Sequence, residues 1–198
     1  MRNKTVVCRG VMMDRRECLR LDGYLQAMAD IQSMSDSGVR YNFSFNKIDF
    51  IESPEESFRI YCEAFIKNDR RRRTSTTWMN LGNTEEERIN KFIDKSYSIL
   101  LKFNSINKFD TELDYALRVW VTNKVVRYSE NKDKTQLNSY ILNYIVDELG
   151  LNVKKHWKLN CDSDFIYDTF FYNVSDIYIL KIEGEYFLLR FGLEYLQD

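Results

Sequence analysis

Nine consecutive residues, Arg70 to Arg73, Thr74, Ser75, Thr76, Thr77 and Trp78, bring together four guanidiniums, four hydroxyls and an indole. Arginine forks onto phosphate or carboxylate oxygens, hydroxyls donate to the same oxygens, and an indole stacks on an unpaired base or fills a partner's pocket. Two ligands suit that chemistry: an acidic protein surface, which clustered arginines both steer and anchor, and single-stranded RNA or DNA. A third reading needs no ligand, since charge runs between helices are commonly solvated and Trp78 can tuck beneath the loop. The run also resembles a basophilic kinase site at Thr74 or Ser75. A second patch, Lys154, Lys155, His156, Trp157 and Lys158, repeats the mixture of cations and aromatics.

Other arrangements that carry chemistry are thin. Asp162, Asp164 and Asp168 come nearest to a metal cluster, because carboxylates two residues apart on a strand share a face. No glycine stands where a calcium-binding loop would turn, so Asp162 and Ser163 read as turn caps before a strand, and no metal site is assigned. His156 is the sole histidine, and as a general base it would need Cys8, Cys18, Cys62 or Cys161 as nucleophile. Those cysteines stand alone, without a C-x-x-C pair, and read as reduced thiols in core positions rather than zinc ligands or disulfides. His156 alternates with lysines, which predicts the exposed face of a strand. Nucleophile elbow, P-loop and dinucleotide fingerprint are all missing from the sequence. Acid–base work by paired carboxylates needs no histidine, but 30 Asp and Glu residues single out no pair. The reading therefore leans away from an enzyme and assigns no catalytic residue or cofactor.

Several elements must position the arginine run. Cys18, Leu21, Leu25, Met28 and Ile31 recur at spacings of three and four, predicting an amphipathic helix from Asp14 to about Met34, after a β-branched start at Thr5, Val6 and Val7. Past Gly38 the period changes. Val39, Tyr41, Phe43 and Phe45 alternate with polar neighbours as in a strand, and Ile48, Phe50 and Ile51 resume out of phase, which suggests a bulge near Asn46 and Lys47. Ser53, Pro54 and Glu56 form a capping box ahead of Phe58, Tyr61, Cys62 and Phe65. Thr84 and Glu87 form another ahead of Ile89, Phe92, Ile93, Ser96, Ile99 and Leu100. The basic run lies between these two capped helices.

Residues 110–128 mix signals, with Leu113, Leu117 and Trp120 at helical spacing among β-branched Val119, Val121, Val125 and Val126; the reading leans to helix. A solvated loop over 129–134 precedes a helical stripe from Leu137 to Leu149 that stops at Gly150. Beyond it the texture is β: Val153, Lys155, Trp157 and Leu159 share one face, 165–174 is aromatic and β-branched, and strands over 177–183 and 185–191 flank Gly184 as a tight hairpin. If helices cover only one sheet face, the C-terminal aromatics form an interaction surface; if both are covered, they are core.

These elements predict an α+β fold, with amphipathic helices packed on a mainly antiparallel sheet and a C-terminal β-meander ending in a hairpin. The 198 residues suit a single domain over 1–198, mostly helical to 150 and mostly β from 151 to 198. With 44% apolar residues, 30% charged residues and a net charge of −1, composition is that of a globular chain whose bulk electrostatics name no partner. No run reaches the roughly 18 apolar residues of a membrane helix, and the charged start is unlike a secretory signal, so no membrane partner and a cytoplasmic location are expected. By elimination, the sequence reads as a small binding or inhibitor protein that occludes a macromolecular partner, in the manner of a toxin-immunity or anti-defence protein. The contact set is Arg70, Arg71, Arg72, Arg73, Trp78, Lys154, His156 and Lys158. The alternative is a nucleic-acid-binding protein that places Arg70 to Arg73 on phosphates.

Overall fold

A computed structural model describes residues 15–35, 38–68, 79–97, 102–105, 115–116, 119–120, 153–160, 163–170, 172–182 and 184–196. In chain order the elements are α1 (Arg15–Ser35), β1 (Val39–Ile48), α2 (Pro54–Asn68), α3 (Glu85–Tyr97), β2 (Lys102–Ser105), β3 (Val153–Asn160), α4 (Ser163–Phe170), β4 (Val174–Ile182) and β5 (Glu185–Tyr195). The strands form one antiparallel sheet in the order β1-β5-β4-β3-β2. The α+β class with a closing hairpin is as the sequence predicts. Ile182 pairs with Glu185, and Gly184 turns the chain at a φ of 95°, a conformation that side chains with a Cβ rarely adopt. Expected elements at 5–7, 129–134 and 137–150 lie outside the described residues, as do Cys8 and Cys161. Within 110–128 the described positions 115–116 and 119–120 are helical.

Both faces of the sheet are covered by helix. On one, Val39, Tyr41, Phe43 and Phe45 of β1, Tyr178, Leu180 and Ile182 of β4, and Phe187, Leu189, Phe191 and Leu193 of β5 meet Leu21, Leu25, Met28 and Ala29 of α1, with Ala116 and Trp120. On the other, Ile48, Ile177, Ile179 and Leu188 meet Phe58 and Cys62 of α2, Ile166 and Phe170 of α4, and Tyr172. Each fully buried side chain of this size is worth about 1.5–3 kcal/mol of transfer free energy. Two covered faces explain the phase change in β1. Ile48 sits on the face opposite Phe45 and is buried there, and β1 stays in unbroken register with β5 from Val39 to Ile48, so the expected bulge at Asn46 and Lys47 does not occur. The register irregularity lies in β3, between Val153 and Lys155. It moves Val153 onto the α1 face, while Trp157 and Leu159 stay on the α2 face.

Two further expectations need correction. The aromatic stretch from Phe165 does not run as a strand: α4 spans Ser163–Phe170, and β4 begins only at Val174. Ile166, Thr169 and Phe170 are buried at spacings of three and four, the helical period, so tertiary packing overrides β propensity here. Asp164 and Asp168 lie in α4, and Asp162 is outside the described residues. In α1 the buried stripe turns past Ile31, which is 38% exposed, and takes in Gln32, whose Nε2 donates to the Trp120 carbonyl at 2.7 Å.

Both N-caps form, and the second closes as a full capping box. Ser53 Oγ accepts from the Glu56 N–H at 3.2 Å while the Ser53 N–H turns to the Ile51 carbonyl, and Thr84 Oγ1 accepts from the Glu87 N–H at 3.2 Å. The Glu87 carboxylate accepts in return from the N–H groups of Asn83 and Thr84, which hold its pKa below the usual value. Edge strand β1 is closed from the side by α1: the Tyr41 N–H donates to Ser33 Oγ at 2.8 Å and the Phe45 N–H to Asp22 Oδ1 at 2.7 Å.

Tyr172 lies flat on Gly192 of β5, and a Cβ built there would collide with its ring. Gly192→Ala is therefore expected to cost about 1–3 kcal/mol by overpacking, a fall of several degrees in Tm. Gly23→Ala, in a helix and with open space around it, should raise Tm instead.

Candidate functional site

Arg70 to Arg73 and Trp78 lie outside the described residues, but the elements on either side of them are placed. Helix α2 begins just after β1, hydrogen-bonds β1 mid-helix through Tyr61 and Asn46, and reaches β2 at the far edge of the sheet. Fifteen residues of helix span about 22 Å, on the order of the four strand spacings of the sheet, and the arginine run follows the C-terminus of α2 in sequence. Its last turn is engaged locally, with Asn68 Nδ2 on the Ala64 carbonyl and Lys67 beside Glu63. On the return side, Leu81 and Ile89 pack against Ile66 and Phe92, and Arg88 Nε donates to the Gly82 carbonyl at 2.7 Å. The elements on both sides of the arginine run are thus held by local packing and capping.

Of the second patch, Trp157 lies on the α2 face, whereas His156 and Lys158 face away from it. His156 pairs in register with Leu180 and Lys158 with Tyr178, which places both on the α1 face, whereas α2 covers the other. His156 is only 8% exposed, which corrects the expectation of a surface strand position: sequence alternation sees one covered face, and this sheet has two. Lys158 Nζ is held at 2.9 Å from Asp176 Oδ1 and 5.3 Å from the centre of the Tyr178 ring. Lys154 lies in β3, and its side chain is outside the description; Lys155 is exposed.

Two charged residues that sequence patterning passes over organise the interior. Asp176 accepts from the Trp120 indole N–H at 2.7 Å and from Lys158, joining the 119–120 segment to β3 and β4. Arg190 lies 5% exposed at the centre of β5, on the α2 face. Its Nε donates to Ser44 Oγ at 2.8 Å, and its guanidinium sits 4.9–5.3 Å from the ring centres of Phe170, Phe65 and Tyr61. No carboxylate pairs with it among the described residues, and Nη1 has no hydrogen-bond partner. The rings supply attraction in place of an anion. Burial pushes the Tyr61 hydroxyl above its usual pKa, while Arg190 pulls the other way. The one available signal for Arg190 was a lone charge within Phe187, Leu188, Leu189 and Phe191.

Among the described residues, most of the C-terminal aromatics are core rather than surface. Phe170, Tyr172, Tyr178 and Phe187 are buried and Tyr186 is half-buried, while Tyr167 is exposed. No helix among the described residues is long and apolar enough to cross a membrane.

Comparison with known proteins adds little to this geometry. No family model and no curated protein sequence matches the chain. A crystal structure of citrus MAF1 aligns with 87% of this chain and 99% of its own, at 13% identity and a TM-score of 0.36. A likeness of that degree carries no argument about function.

Removing the Asp176 carboxylate strands both the indole and the ammonium. Asp176→Ala should cost about 1–3 kcal/mol in chemical denaturation and alter tryptophan emission, with Lys158→Ala costing less because the indole bond survives. Arg190→Met, which keeps an apolar stem among the rings and removes an unpaired buried charge, is expected to leave stability within about 1 kcal/mol of wild type or raise it. A loss of several kcal/mol would mean that the guanidinium itself is required.

Proposed function

We propose that the protein is a cytoplasmic binding protein that inhibits a macromolecular partner by occluding it, in the manner of a toxin-immunity or anti-defence protein. Its contact surface is the segment carrying Arg70 to Arg73 and Trp78. The observation that supports this reading is how other candidate groups are spent: among the described residues Phe170, Tyr172, Tyr178 and Phe187 are core, Lys158 is paired and His156 is buried. The guanidiniums then steer an acidic partner and fork onto its carboxylates, while the indole anchors the centre of the contact. Inhibition is steric and needs no cofactor. The reading takes residues 1–198 as one α+β domain, supported by the ten-residue pairing of β1 with β5 that joins the two ends of the fold.

The test compares wild type with a variant carrying alanine at all four arginines, each recovered from source cells with and without nuclease. The expected result is a stoichiometric protein that survives nuclease, binds the variant at least about thirtyfold more weakly, and leaves Tm nearly unchanged. A partner retained by a variant that has lost much of its stability would overturn the assignment. Nucleic acid recovered in its place, bound with an affinity that falls steeply with salt, would transfer the arginines to phosphate recognition.

A further inference from the structure

At the closing-hairpin end of the α2 face, β3 and β4 set two lysines against each other. Lys155 pairs in register with Lys181, and each stands two residues along its strand from a side chain of that face, Trp157 in β3 and Ile179 in β4. The register irregularity of β3 falls immediately before the pair, leaving Val153 on the α1 face and Lys155 on the α2 face. Tyr186, in register with Lys181 on its other side, extends the row, and Lys181 Nζ lies 5.2 Å from the centre of its ring. Phe50 stacks on Tyr186 at 3.9 Å, and the Trp157 ring lies 6.2 Å from Tyr186 at an interplanar angle of 23°, so aromatic rings border the lysines. Lys155 is exposed, and Lys181, Trp157 and Tyr186 are half-buried.

Like charges directly opposite on neighbouring strands, with Cβ atoms about 5 Å apart, weaken a sheet. Other cations of these strands are neutralised: Arg40 by Glu194, Lys47 by Glu185 and Lys158 by Asp176. Neither Lys155 nor Lys181 makes an ion pair among the described residues. The acidic residues described in β4 and at the start of β5 do not serve them, because Asp176 and Glu185 register with Phe191 and Ile182 on the α1 face and are already paired. We propose that Lys155 and Lys181 together bind the dianionic group of a phosphate monoester. Two ammonium groups on flexible stems reach a single group between them, and neutralising both takes two negative charges. A phosphate monoester carries roughly −1.5 to −2 at pH 7 on three acceptor oxygens, where a carboxylate carries one charge. The bordering rings give the organic part of such an ester an apolar surface to lie against. This site uses no residue of the arginine run and is independent of the partner proposed for it.

Phenyl phosphate, phenyl sulfate and inorganic phosphate serve as probes, titrated against the full chain by calorimetry at low salt. Phenyl phosphate is expected to saturate wild type, and phenyl sulfate, the same ring with a single negative charge, to bind at least about fivefold more weakly. Inorganic phosphate separates the two sources of the group: affinity equal to that of phenyl phosphate supports a free phosphate as occupant, and weaker affinity supports an ester held also by its ring. Lys155→Glu, which sets a carboxylate opposite Lys181, should lower phenyl phosphate affinity at least about tenfold without lowering Tm. Lys181→Met keeps the stem beside Tyr186 and removes the other charge, with an expected loss of about three- to tenfold. The two substitutions lie in different strands, so either one keeps the test intact should the other not fold. Failure of phenyl phosphate to saturate folded wild type, equal affinity for phenyl sulfate, or wild-type affinity in either folded variant would each overturn the proposal, the last by moving the phosphate to other cations such as Arg70 to Arg73.

Discussion

Strand β5 carries Phe187, Leu189, Phe191 and Leu193 on one face and Leu188 on the other, and β4 matches it with Tyr178, Leu180 and Ile182 opposed to Ile177 and Ile179. A hairpin apolar on both faces cannot stand at a surface, and burying it twice is the constraint from which the architecture follows. Helix α1 with Trp120 closes one side. Helices α2 and α4, with Tyr172, close the other. The central position of β4 and β5, between β1 and β3, follows from the same demand, because the edge strands bear the polar alternation that the centre lacks.

Double burial raises the question of polar groups, and the structure answers it with a few specific side chains. The outer edge of β1 is met by Asp22 and Ser33 from α1, so the helix that covers a sheet face also satisfies an edge. Asp176 collects the Trp120 indole and the Lys158 ammonium at the rim of the α1 face. Arg190 is the exception: a guanidinium buried among Phe65, Phe170 and Tyr61 with one hydrogen bond to Ser44. Unpaired buried charge generally weighs against stability, and the three rings offset part of that cost.

The same constraint narrows where function can reside. Aromatic residues held between sheet and helices are unavailable to a partner, however suggestive their abundance. The contact surface proposed above lies instead in a connection between elements, the arginine run that follows α2 in sequence. The phosphate site proposed at Lys155 and Lys181 lies where the hairpin end of the α2 face leaves side chains partly uncovered.

By itself the sequence determined the local events: both helix N-caps, the amphipathic stripes of α1 and α2, the alternation of β1 and the glycine turn of the closing hairpin. These depend on residues within a few positions of one another, where spacing carries the physics. Tertiary structure decided what depends on how many neighbours an element has. Alternation in β3 could not reveal that His156 is covered, because both sheet faces are lined by helix and one extra residue between Val153 and Lys155 shifts the phase. The β-branched and aromatic stretch from Phe165 became helix α4 because a helix, not a strand, brings Ile166, Thr169 and Phe170 to one buried side. The lysine pair likewise belongs to the fold alone: α4 separates Lys155 from Lys181 along the chain, and no local pattern relates them before β3 and β4 come into register.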